Sequence, residues 1–340
     1  MTQLPRRLDA RFEVRGVSGF TLVELLVAAA ITVATTGAMI ELARGAHAAS
    51  VAMSDGADVQ QKMRVAVDAI QHDLSAAGAG SGLSAGGGSL VQYFPPVRPA
   101  AGVAGDSDVT YATDRITVLY VPSTNAEATV LAGSPGGLSI GGTPSCALTP
   151  SCGFERGMHA LVFDRSGPGF GYDIFTVGDA SPGSIVRASS EESFSNTYAA
   201  SAYVTEVVSR TYYLDRSDAS NVHLMRGDGR TAFPLIDGVR DLRFTYYADP
   251  DPASVSALGA AAGTCVYSPG PPPGSLLTPL GGASLSELSA SDLTDGPFCG
   301  MGTNRFDADL LRIRRIHVSL QLPSLELSFD VTPHNLNLAR

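Results

Sequence analysis

Apolar residues fall in one unbroken run near the start of the chain and in short alternating runs after it. From Phe20 to Ile40 the sequence reads FTLVELLVAAAITVATTGAMI, 21 residues with a single charge at Glu24. A helix of that length crosses a hydrocarbon core of about 30 Å. The pattern then becomes amphipathic. Val59, Met63, Val67, Ile70 and Leu74 recur at spacings of four, four, three and four, which is one face of a helix. Gln60, Gln61, Lys62, Arg64, Asp68, Gln71, His72 and Asp73 fall between them, on what reads as the polar side. No proline interrupts Phe20 to Leu90. The pattern therefore predicts one continuous helix from Phe20 to about Ala77, with Gly37, Gly45 and Gly56 as its weak points.

The period then changes from helical to two. Gly78 to Gly88, GAGSGLSAGGG, reads as a flexible connection. Strand candidates follow at Arg115–Val121, His159–Phe163, Tyr172–Val177, Ser184–Arg187, Tyr203–Leu214, Asn221–Arg226, Val239–Tyr247, Leu311–Leu322 and Leu325–Val331. Leu242, Phe244 and Tyr246 alternate with Arg243, Thr245 and Tyr247, and Val318, Leu320 and Leu322 repeat the pattern. One helix followed by runs of strands is an α+β plan, a long N-terminal helix on an antiparallel sheet with long loops. Glycine (37) and proline (21) are plentiful enough to supply those loops.

Charge sharpens the reading of the N-terminus. Arg6, Arg7, Arg11 and Arg15 against Asp9 and Glu13 give the first 19 residues +2, leaving −12 for the rest of a chain whose total is −10. A basic flank before an apolar run holds that flank in the cytoplasm. The acidic remainder offers no basic face for nucleic acid. Four cysteines, Cys146, Cys152, Cys265 and Cys299, all lie beyond the apolar run. In an exported part, an even count reads as disulfides. The sequence-near pairs Cys146–Cys152 and Cys265–Cys299 close the shortest loops.

Three explanations of the apolar run compete. A secretory signal has a shorter apolar core and a small-residue cleavage site behind it. Here Ala28, Ala29 and Ala30 lie inside the run. A plain anchor fits the length but leaves Glu24 as an expensive charge. The third explanation uses every residue. Ser18-Gly19-Phe20-Thr21-Leu22-Val23-Glu24 resembles the class III signal of type IV prepilins. The resemblance implies cleavage between Gly19 and Phe20 by a membrane prepilin peptidase, which also methylates the new amine of Phe20. It implies that Glu24, fifth in the mature chain, pairs with the amine of a neighbouring subunit. On this reading residues 1–19 are a leader and 20–77 the membrane-spanning and amphipathic helix. Residues 78–340 form the periplasmic or extracellular β-rich part.

The later segments Tyr212–Asp215 (YYLD), His223–Arg226 (HLMR), Leu235–Tyr247 and Arg312–Leu322 also resemble large minor pilins of the PilW kind, and the J-type pseudopilins of type II secretion. In those proteins a hairpin, a Gly-Val turn into a strand and a late strand build the sheet. Glu24 argues against the tip-most K-type pseudopilins, which typically lack that carboxylate. Residues 90–200 and 249–300 match no pattern from these families.

Catalytic chemistry has little to build on. The six histidines are scattered, Gly167–Gly171 lacks the lysine of a phosphate loop, and Asp249-Pro250-Asp251-Pro252 reads as a solvated turn. Arg312, Arg314 and Arg315 read as one exposed strand face. The expectation is a non-enzymatic structural subunit without a cofactor, a minor pilin at or near a fibre tip. Its partners would be the prepilin peptidase, other minor and major pilins and the inner-membrane assembly platform. It would be a single-pass inner-membrane protein before assembly into a pilus. The alternatives are a pseudopilin of a secretion or DNA-uptake system, and a membrane-anchored periplasmic hydrolase.

Overall fold

The computed structural model describes residues 19–80, 90–92, 94–99, 114–123, 126–164, 172–188, 193–200, 202–250, 254–257, 265–268, 277, 280, 284–289, 291–299, 306–323 and 325–336, with the side chains of 52, 54, 55, 254–257 and 265–268 outside that description. Helix α1 spans Leu22–Ala76 without a break, close to the predicted limits. Its three glycines do not interrupt it. The chain divides into two units between Gln61 and Lys62.

In the first unit α1 leaves its apolar residues uncovered. Leu22, Val23, Leu25, Leu26, Ile31, Val33, Met39 and Leu42 are all exposed.

In the second unit the last turns of α1 bury Met63, Ala66, Ile70, Asp73, Leu74 and Ala77. Met63, Ile70 and Leu74 are as predicted, but Val67 is half-buried and Ala66 takes its place in the core, and one polar residue joins them. Asp73, placed by pattern among the polar residues, is fully buried. It lies three residues after Ile70 and four before Ala77, and 3.6 residues per turn puts all three on the inner side. The connection that follows is also tighter than expected. Gly78 adopts φ +82° directly after the helix, where a glycine C-cap is favoured. Its N–H donates to Leu119 O at 2.9 Å and its carbonyl accepts from Leu90 N at 2.8 Å. A Cβ at Gly78 would come within 2.9 Å of Leu336 Cδ2. The stretch 81–88 lies outside the described residues.

Two open antiparallel sheets follow. The first runs in the order β1 (Val97–Arg98), β2 (Arg115–Tyr120), β9 (Val208–Asp215), β10 (His223–Gly227) and β11 (Ala232–Asp237). The second runs β15 (Ser286–Leu288), β12 (Asp241–Ala248), β18 (Ile313–Leu322) and β19 (Leu325–Val331). The alternation seen in sequence sets the register. Leu242 faces Leu320, Phe244 faces Val318 and Tyr246 faces Ile316, all six buried. The Gly-Val turn is present: Gly238 has φ +72°, and buried Val239 donates to Val222 O at 3.0 Å as the chain enters β12. Two short strand pairs, β13 (Ser254–Ala257) with β14 (Cys265–Ser268) and β16 (Phe298–Cys299) with β17 (Phe306–Asp307), are also present.

Between β2 and β9 lies a closed six-stranded antiparallel barrel that no sequence pattern announced. Its order is β3 (Glu127–Ser134), β4 (Gly137–Gly141), β7 (Ser184–Arg187), β6 (Tyr172–Ser181), β5 (His159–Asp164) and β8 (Ala202–Glu206). Val130, Ile140, Val162, Phe175, Val177, Ile185 and Val204 fill it, joined by Cys152, Phe154 and Tyr198 from its loops. A barrel this narrow is packed solid by side chains. Short helix α2 (Pro144–Leu148) carries Cys146, which forms a disulfide with buried Cys152. That agrees with the expected pairing. Cys299 is buried and disulfide-bonded, and the side chain of Cys265 lies outside the described residues.

The arginine cluster differs from its prediction. Arg312 is 1% and Arg314 4% exposed. Residues Ala308–Arg312 form a 3₁₀ turn, not a strand, which brings Arg312 Nη1 to 2.7 Å from Asp309 Oδ1. A register shift then pairs Ala248 with Ile313 and Tyr247 with Arg315, skipping Arg314. That bulge turns Arg314 inward, where its Nη1 donates to Leu311 O and Ile313 O, each at 3.0 Å. Arg315 instead lies over the Tyr247 ring, 4.2 Å from its centroid.

Candidate assembly site

The sequence-predicted site begins at Gly19 and Phe20, just before α1. Phe20 is 81% exposed. Thr21 and Glu24 form a reciprocal cap at the helix start. Glu24 Oε2 accepts from Thr21 N at 3.0 Å and from Thr21 Oγ1 at 2.9 Å, and Glu24 N donates to Thr21 Oγ1 at 3.3 Å. A threonine followed three residues later by glutamate is the capping-box signature. The sequence carries this pattern in Thr21 and Glu24, alongside the charge that marks Glu24 in the apolar run. Glu24 therefore has a local structural role in addition to any role between subunits. The cap also holds the carboxylate against the residue adjoining Phe20.

The polar atoms of the apolar run are satisfied within the helix. Thr32 Oγ1 donates to Ala28 O at 2.7 Å, Thr35 Oγ1 to Ile31 O at 2.9 Å and Thr36 Oγ1 to Thr32 O at 2.6 Å. Hydrocarbon offers no partner to a hydroxyl, so such back-bonding is what a lipid-facing threonine needs. Charge returns right after Ile40, where Glu41 and Arg44 pair at 3.1 Å, both well exposed. By length and composition this helix can cross a membrane.

No protein family, curated protein or solved structure matches the chain. The functional reading therefore rests on these residues and on the fold around them.

Asp73 is the other conspicuous group of α1, and sequence reasoning missed it. Tyr212 Oη donates to its Oδ2 at 2.5 Å and Tyr120 Oη to its Oδ1 at 3.1 Å. The Arg226 guanidinium grips both oxygens, with Nε at 3.0 Å and Nη2 at 2.8 Å from Oδ2 and Nη2 at 3.1 Å from Oδ1. Burial and the neighbouring carboxylate push the Tyr120 phenol up to about 12 and move Tyr212 in the same direction. The cluster ties α1 to β2, β9 and β10. Its only sequence signal was an aspartate at a helical position shared with Ile70 and Leu74.

The histidines do not converge. His223 Nδ1 lies 2.7 Å from Asp237 and His317 Nδ1 2.9 Å from Asp330, each across a strand pair. Among the described residues no three metal-ligating side chains come together. Asp251 and Pro252 of the acidic turn lie outside the described residues.

Proposed function

We propose that the chain is a pilin-like structural subunit: a minor pilin of a type IV pilus, cut between Gly19 and Phe20 and placed at or near the fibre tip. The observation that carries this reading is an uncovered apolar helix that begins with the Gly-Phe-Thr-x-x-Glu pattern. Its carboxylate sits within one helical turn of the amine that cleavage would create. A helix for a simple anchor has no use for that carboxylate beyond its cap, whereas a stack of identical helices can pair it with the next subunit's amine. The antiparallel sheets supply the second support, since the hairpin β9–β10, the Gly-Val turn and late strand β18 come in the order of the PilW-like minor pilins. J-type pseudopilins share that order and are the second reading. A large globular part suits a tip, where neighbours crowd least.

Mass analysis of the mature N-terminus tests the proposal. The expected result is a chain starting at N-methyl-Phe20 in a sheared fibre fraction. A mature chain that starts behind the apolar run would overturn it. Recovery in a secretion pseudopilus rather than a surface pilus would select the second reading.

A further inference from the structure

A cleft of about 420 Å³ opens where the barrel meets the turn between β10 and β11. This volume lies within the roughly 300–1,000 Å³ range of small-molecule sites. Three arginines line it: Arg156 from the β4–β5 connection, Arg187 at the end of β7 and Arg230 from the β10–β11 turn. One carboxylate, Asp179, faces them. None of the three guanidiniums is in a salt bridge among the described residues. Convergence of unpaired cations is notable in a chain of net charge −10.

Two of the arginines are held in place by carbonyls. Arg187 Nε donates to Pro135 O at 3.2 Å, and Arg230 Nη1 donates to Gly157 O at 2.8 Å. Arg187 Nη1 is buried and has no hydrogen-bond partner among the described residues. A buried cationic donor left unmade is costly unless something completes it. The cleft wall is a β-bulge. Val177 pairs with Arg187 and Asp179 with Val186, leaving Gly178 opposite no residue. A Cβ at Gly178 would lie 2.8 Å from both Ala188 Cα and Arg187 O, so only glycine fits there. Bulges of this kind redirect side chains beside binding sites.

The geometry points to an oxyanion site: the cleft binds a sugar-sized acid, a carboxylate or phosphate carried on a small polar molecule. Guanidinium forks match both groups in shape and charge. The rest of the lining is mixed, with Thr176 and main chain beside the aliphatic Val177, Val186 and Ala188, so the arginines select the charged end of the ligand. The inference does not depend on how α1 is used.

Calorimetric titration of the purified full chain in detergent tests it, with glucuronate and glucose 6-phosphate as the two acids and glucose as the neutral reference. One saturable site is expected for at least one acid and none for glucose, and the acid that binds identifies the source of the charge. Arg187→Gln and Arg156→Gln should each weaken binding tenfold or more, while Arg44→Gln, far from the cleft in sequence and on α1, should leave it unchanged. Arg156 is exposed and has no partner among the described residues, so its variant remains informative even if Arg187→Gln, which loses the bond to Pro135, fails to fold. Binding of neither acid above glucose, or wild-type binding by a folded Arg156→Gln, would overturn the assignment.

Discussion

Glu24 serves two ends, and substitutions can separate them. Glu24→Gln keeps the acceptor that the capping box needs, whereas Glu24→Leu removes both cap and charge. If subunit pairing is the function, both variants should insert and be cut, and both should be scarce in sheared fibres compared with the membrane fraction. Glu24→Asp should fall between them and wild type. Normal fibre content with Glu24→Gln would leave the carboxylate only its capping role. A different lesson comes from Asp309. Burial pushes its carboxyl up to about 6 despite Arg312 at 2.7 Å. The folded chain then holds a proton between about pH 4 and 6 that the unfolded chain has released. This group's contribution to stability should therefore decline as pH rises through that window. Thermal melts of Asp309→Asn should show a flatter profile from pH 4 to 6; an unchanged slope would remove Asp309 as the cause. Neither feature was hidden in composition. The cap was a four-residue pattern, but the buried acid required knowing that residues 308–312 coil into a 3₁₀ turn, which strand alternation gave no reason to expect.

Among elements, α1 was the most legible, because a long apolar run and a 3.6-residue period determine a helix almost alone. Its limits moved by only a residue or two at each end. What periodicity could not supply was the meaning of Asp73, since a polar residue on an apolar stripe looks like noise until β2, β9 and β10 bring Tyr120, Tyr212 and Arg226 to it. Asp73→Ala leaves a half-buried guanidinium and two phenols without their acceptor, and a buried donor left unsatisfied costs about 1–3 kcal/mol. The expected outcome is a much lower unfolding midpoint in denaturant. Asp73→Asn, which still accepts hydrogen bonds, should lose less. Equal, small losses in both would show that the cluster contributes little. Strands were read well where alternation was strict, as in β12 and β18, and the prediction Ser184–Arg187 matches β7. The span Tyr203–Leu214 was read as one strand but contains two, β8 and β9, with Val207 alone between them. No turn residue marks that break, because the chain passes from one sheet to another without reversing.

At the scale of the whole second unit, α+β was legible and the barrel was not. Four of its six strands overlap predicted runs, while β3 loses its alternation after Val130 and β4 is only five residues long. Their clearest signal was Pro135-Gly136 between two apolar runs, a turn pair whose partners Ser134 and Gly137 close the hairpin. Closure of six strands is a non-local fact that no local pattern contains. The pairing of Tyr120 with Val208 has a further consequence. The last residue of β2 sits directly opposite the first of β9, so the whole barrel leaves and re-enters the sheet through one gate a strand-spacing wide. In architectural terms it is a graft on a hairpin loop, touching its host where Tyr172 meets Arg98 and Phe94 and where Gly157 meets Arg230. A chain in which residues 121–207 are replaced by Asn-Gly should close β2 and β9 as a simple two-residue hairpin. It should keep the Asp73 cluster, visible as a retained upward shift in the phenol titration of Tyr120, while losing the arginine cleft. Collapse of the sheet on that excision would show instead that scion and stock fold as one.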